Sequence, residues 1–164
     1  MTTVCGVGMM LCGCSTNRNG IALDCVGPQP APVSNTNASS GTLVVFSAQL
    51  AGADFDTRDA YRPEYSNYKV YNDNGELQQM VVNNSGNIFQ DPASVKLAVG
   101  QYRVLARANG YGNVTVPVVI KPGQTTVLHL EGGSTWQRQA GFNPTNTVHL
   151  PGGEIVGWKA ASNS

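Results

Sequence analysis

Between residues 42 and 131, short runs alternate apolar and polar positions, and turn-forming residues separate them. Side chains along a strand point alternately to opposite faces, so a period of two predicts a strand with one buried and one wet side. The cleanest case is Gln101 to Ala108. Tyr102, Val104, Ala106 and Ala108 share one face, and Arg103 and Arg107 share the other. Asn113 to Ile120 repeats the pattern, with Val114, Val116, Val118 and Ile120 inward. Pro117 lacks an N–H for the ladder, which predicts an edge strand or a bulge there. The remaining runs are Thr42 to Leu50, Ser66 to Tyr71, Leu77 to Val82, Ala93 to Ala98 and Thr125 to Leu130. Asp73-Asn74-Gly75 sits between two of them and predicts a tight hairpin. No stretch of ten or more residues carries a capped helical period.

The expected fold is therefore all-β, with seven strands over residues 42–131. Each run leaves one apolar face that another layer must cover, so two packed sheets are expected. The size suits an immunoglobulin-like sandwich of about 100 residues. Residues 132–164 form a short C-terminal extension holding both tryptophans, Trp136 and Trp158. Pro151-Gly152-Gly153, flanked by Val148-His149-Leu150 and Glu154-Ile155-Val156, reads as a small hairpin. A buried Trp carries a large apolar area, so this extension either folds back on the module or engages a partner.

Charge is scarce and uneven. Lys+Arg and Asp+Glu number ten each, and charged residues make up 12% of the chain against about 25% in a typical domain. That excludes the basic footprint of a nucleic-acid binder. Residues 1–53 hold only Arg18 and Asp24, after which Asp54, Asp56, Arg58, Asp59, Arg62 and Glu64 arrive together. Residues 17–41 are rich in Gly, Pro, Ser and Asn and include Pro28-Gln29-Pro30-Ala31-Pro32, the composition of a flexible tether.

Val4 to Cys12 is a short, uncharged, mostly apolar stretch that runs into Leu11-Cys12-Gly13-Cys14. A leucine three residues before a cysteine, with small residues between, resembles the bacterial lipobox. The resemblance implies a signal peptide over 1–13, a diacylglycerol on the Cys14 sulfur and a tether over 14–41. The implied partner is a lipid bilayer, and the implied location is the bacterial cell envelope, on the outer membrane or a periplasm-facing membrane. An ordinary cleaved signal, or a buried apolar segment with coincidental cysteines, stays open. All four cysteines lie in the first 25 residues, without the paired C-x₂-C spacing of a zinc site.

Three motifs in the second half resemble carboxypeptidase-regulatory-like (transthyretin-like, prealbumin-like) domains. They are Val99-Gly100-Gln101-Tyr102-Arg103-Val104, Asn109-Gly110-Tyr111 and Lys121-Pro122-Gly123-Gln124-Thr125-Thr126, in that order. The resemblance implies a prealbumin-like sandwich and a non-catalytic module. The whole chain is also similar to small bacterial lipoproteins that share Arg58-Asp59-Ala60-Tyr61-Arg62-Pro63-Glu64-Tyr65 and the tail from Val148 to Trp158.

No G-x-S-x-G elbow, H-E-x-x-H helix or glycine-rich phosphate loop occurs, so no enzyme class and no cofactor is expected. His129 reads as the outward residue of its strand, and His149 lies in the extension. Asp54, Asp56 and Asp59 would suit calcium, but Arg58 and Arg62 sit among them, which favours a salt-bridged loop and no metal. The expected partner surface comprises Asp54, Asp56, Asp59, Tyr61, Tyr65, Trp136 and Trp158. Two functions compete for it. One is a structural or protein-interaction module meeting another envelope protein. The other is a carbohydrate or cell-wall binder using the aromatic residues.

Overall fold

The computed structural model describes residues 20–28, 39–50, 64–83, 91–132 and 144–159. The fold is all-β. Its strands are β1 (Gly20–Ile21), β2 (Ser40–Phe46), β3 (Gln49–Leu50), β4 (Glu64–Tyr65), β5 (Tyr68–Asn72), β6 (Leu77–Val81), β7 (Ser94–Ala98), β8 (Gly100–Ala108), β9 (Gly112–Ile120), β10 (Thr125–His129), β11 (Thr147–His149) and β12 (Ile155–Lys159). One five-stranded sheet has the order β1-β9-β8-β5-β6, and a second has the order β11-β12-β10-β2-β7. A two-stranded ribbon joins β3 and β4. Both sheets are mixed, since β1 runs parallel to β9 and β10 runs parallel to β2.

The alternating positions form the core. Val104, Val114, Val116 and Val118 of the first sheet are fully buried, as are Leu43, Val45 and Leu128 of the second. They belong to one hydrophobic cluster, so the two sheets share a single interior. Each buried Val or Leu contributes about 1.5–3 kcal/mol relative to an exposed one. Thr126 ties the layers directly, donating its hydroxyl to the Val119 carbonyl at 2.7 Å.

The seven runs expected over 42–131 divide four to one sheet and three to the other, with the end of the first run splitting off as β3. Seven strands are not the whole count, however, because both flanks add to the sheets. Residues 20–28, expected within a flexible tether, lie along the seam between the layers. Ala22 and Val26 are buried in the shared core. The Ala22 amide donates to the Thr115 carbonyl at 2.8 Å and the Val26 amide to Pro117 at 2.9 Å, both on β9. On the other layer, the Leu23 amide donates to the His149 carbonyl at 2.8 Å, and Pro28 forms a bridge with Thr126. This strap departs from the tether expected there because its two inward apolar residues fill the edge of the core.

The strap also explains Pro117. Strand β9 is not an edge, since β8 flanks it on one side and the strap on the other. Pro117 turns its carbonyl to Val26, and in an extended strand the nitrogen of that residue faces the same way. The missing N–H therefore costs β8 nothing. It falls where the strap leaves the ladder between Ile21 and Val26.

The Asp73-Asn74-Gly75 turn does join β5 to β6, but only Gly75 takes a positive φ, at 81°. A two-residue type I′ turn needs positive φ at both central positions. Here the loop is longer, and a register shift follows at Val70/Tyr71. In the extension, β11 and β12 form the expected hairpin, with Gly153 at φ 87° and Val148, Leu150 and Val156 buried in the common core. Described residues 144–159 thus fold back on the module.

Candidate functional site

Three groups of side chains gather at the pole where β2, β8 and β10 end. The first is an aromatic row across the outer face of the second sheet. Register places Phe46 opposite His129 and His129 opposite Trp158. Their rings stack, with centroids 4.4 Å apart for Phe46–His129 and 3.8 Å for His129–Trp158, both pairs 11° from parallel. Tyr65 meets Phe46 edge-on at 5.6 Å. Glu131 Oε1 lies 2.8 Å from His129 Nδ1. A carboxylate only accepts, so Nδ1 carries the hydrogen that bonds it. Two buried polar atoms in this cluster, Trp158 Nε1 and Glu131 Oε2, have no hydrogen-bond partner among the described residues. Burial pushes the Tyr65 hydroxyl pKa up, and the Glu131 and Asp91 carboxylates add to that against an opposing bond from Gln49.

The second group is a buried polar knot. Asn83 is fully buried. Its amide nitrogen donates to the Val45 carbonyl at 2.8 Å and to Ser47 Oγ at 2.9 Å. Its side-chain oxygen accepts from the Ala93 amide at 2.9 Å. Ser47 in turn donates to the Ser66 carbonyl at 2.6 Å. The knot fastens the end of β2, the β4–β5 link and the approach to β7. The chain segments 51–63, 84–90 and 133–143 all depart from described residues at this pole.

The third group fastens the strap. Asp24 Oδ2 accepts from the His149 amide at 2.8 Å and lies 3.1 Å from its Nδ1, while Lys159 Nζ is 4.0 Å from Oδ1. Partial burial acts to raise the Asp24 pKa, but the bonds from His149 and the Lys159 charge outweigh it and hold the carboxyl below its ordinary value. Thr147 Oγ1 sits 3.1 Å from His149 Nε2. The order hydroxyl–imidazole–carboxylate is that of a nucleophilic relay. Thr147 is only 3% exposed, however, so the hydroxyl is not presented to a substrate.

Of the residues expected to form a partner surface, Tyr65 and Trp158 are brought into one aromatic row, although the sequence separates them widely. Asp54, Asp56, Asp59, Tyr61 and Trp136 lie outside the described residues, as does Cys14. Phe46, His129, Glu131 and Asn83 were not expected there. The signal for Phe46 was available, since it occupies an outward position of an alternating run. His129 does face away from the core, as its run predicts, but the neighbouring rings cover it. Among the described residues, no group of three or more His, Cys, Asp or Glu is placed to hold a metal.

No family model, curated protein or solved structure matches the chain.

Proposed function

We propose that the chain is a non-enzymatic bacterial envelope protein. In this reading an immunoglobulin-like, prealbumin-type sandwich over 42–131 is held on a membrane by a lipid on Cys14. It acts as a structural or protein-interaction module through the pole where β2, β8 and β10 end. The observation that carries the reading is the construction of that pole. The Asn83 knot and the stacked Phe46–His129–Trp158 row are packed together there and tie the ends of β2, β10 and β12. The four-and-three division of the seven central strands supports the sandwich assignment, and the three motifs of residues 99–126 support the prealbumin type.

The rival reading, a carbohydrate or cell-wall binder, draws less support. A tryptophan that stacks on a sugar must offer a free ring face. Trp158 gives one face to His129 and is 5% exposed overall. Of the aromatic residues expected on that surface, Tyr65 is described, partly exposed and still fits that role.

Two experiments test the proposal. Cys14→Ser is expected to abolish incorporation of labelled fatty acid and shift the protein out of its membrane fraction; unchanged labelling discards the anchor. A glycan array and a peptidoglycan pull-down on the full chain are expected to show no saturable binding. Saturable binding that Tyr65→Ala removes replaces the interaction reading with the glycan one.

A further inference from the structure

The strap shortens the distance between the anchor and the folded module. Residues 14–41 would form a long leash if they were all free. Gly20 already pairs with Val114 on β9, so only residues 15–19 separate Cys14 from the sheet. Six Cα–Cα steps at about 3.3–3.6 Å each reach at most about 20 Å. A nine-residue strand such as β9 is about 30 Å long. The leash is therefore shorter than the module it holds, and it keeps Gly20, on the β1 edge, close to the lipid.

That edge carries exposed apolar side chains. Ile21 and Leu23 on the strap are 65% and 68% exposed, and Ile155 on β12 is 45% exposed. They are neighbours through the ladder. The Leu23 amide bonds the His149 carbonyl, and His149 pairs with Ile155. Asp24, next to Leu23, has its carboxylate engaged by His149 and Lys159. Glu154, the neighbour of Ile155, is also exposed and borders this patch. Leu77, Met80 and Val82, on or just after β6, belong to the opposite edge of the first sheet.

We infer that the mature protein lies against the bilayer on the flank made by the strap and the β11–β12 hairpin, with Ile21, Leu23 and Ile155 turned to the lipid. The inference rests on the acylation of Cys14 proposed above. It orients the module: the β6–β7 edges point away from the membrane, and the leash joins the module beside the β8–β9 turn.

The chain supplies its own probe. Once Cys14 is acylated and the leader with Cys5 and Cys12 is removed, exposed Cys25 is the remaining thiol, two residues from Leu23. The acylated protein is labelled there with a fluorophore and reconstituted in phosphatidylethanolamine–phosphatidylglycerol vesicles carrying a headgroup nitroxide lipid. Cys25 is expected to be quenched several-fold more than a label at Met80→Cys in a Cys25→Ser background. Leu23→Glu with Ile155→Glu, both at exposed positions, is expected to bring the two sites toward equal quenching without loss of the lipid. Equal quenching in the acylated parent, or stronger quenching at position 80, overturns the orientation. Mass measurement of the N-terminal peptide separates the two failures: an unacylated chain overturns the anchor, and the orientation with it.

Discussion

Removing the Asn83 side chain is the sharpest test of how the pole at the end of β2 is held. Asn83→Ala deletes three hydrogen bonds, to the Val45 carbonyl, to Ser47 Oγ and from the Ala93 amide. A typical bond contributes about 1 kcal/mol net, and each partner left buried and unpaired costs about 1–3 kcal/mol. Ser47 Oγ keeps its bond to the Ser66 carbonyl, so the orphaned groups are the Val45 carbonyl valence and the Ala93 amide. The expected loss is about 3–4 kcal/mol, a large part of the roughly 5–15 kcal/mol that holds a domain together. With a urea m-value of about 1–3 kcal/mol/M, the midpoint falls by about 2 M while m stays constant. Ser47→Ala removes one donor and is expected to cost about 1–2 kcal/mol. The double mutant should lose less than the sum of the singles, with a coupling of about 1 kcal/mol, because the two side chains touch at 2.9 Å. A loss below about 1 kcal/mol for Asn83→Ala, or strict additivity with Ser47→Ala, would refute the claim that this knot fastens the pole.

Other outcomes follow from the same contacts. Trp158→Ala is expected to cost about 3–5 kcal/mol, as for a large buried aromatic. Trp158→Phe keeps a ring against His129 while removing the unpartnered Nε1–H, and should cost clearly less; thermal melts of the two variants check the ranking. Gly157→Ala would drive a methyl group into the His129 carbonyl oxygen and the Leu130 side chain, so β12 must move off β10; a lowered melting temperature with altered Trp158 fluorescence is expected. The Asp24 carboxyl sits below its ordinary value of 3.8 when folded. Its contribution is therefore complete above that value and is lost as pH falls through the lower folded one. Cys25 reactivity with an acid-tolerant disulfide reagent should rise in that acid window, and in Asp24→Asn it should already be raised at neutral pH.

Much of this architecture is written locally in the chain. Val104, Val114, Val116 and Val118 declare their strands and their buried face through alternation alone, because a period of two permits little else. The β11–β12 hairpin is likewise legible from Pro151-Gly152-Gly153 between apolar triplets. The strap is not. Ala22 and Val26 sit in a Gly- and Pro-rich stretch, and what makes them core residues is β9, whose Val118 lies far along the chain. The aromatic row is hidden for a related reason. Phe46, His129 and Trp158 become neighbours only once β2, β10 and β12 are placed side by side, and strand order is a property of the whole sheet. Asn83 reads in sequence as part of a surface-type Asn-Asn-Ser triplet, yet it is buried because three separate segments bond its side-chain amide, its side-chain oxygen and its backbone N–H.

The clasp between Asp24 and His149 closes over a separation of 125 residues. Synthesis runs from the N-terminus, so the strap emerges long before either of its docking partners, β9 and the β11–β12 hairpin. Pairing over such distances is slow, because loop-closure entropy is spent before the contact rewards it. For most of its birth the chain therefore has an open seam, with Ala22 and Val26 bare. A chain stopped before residue 147 would hold the β9 partners of Ala22 and Val26 but lack the latch.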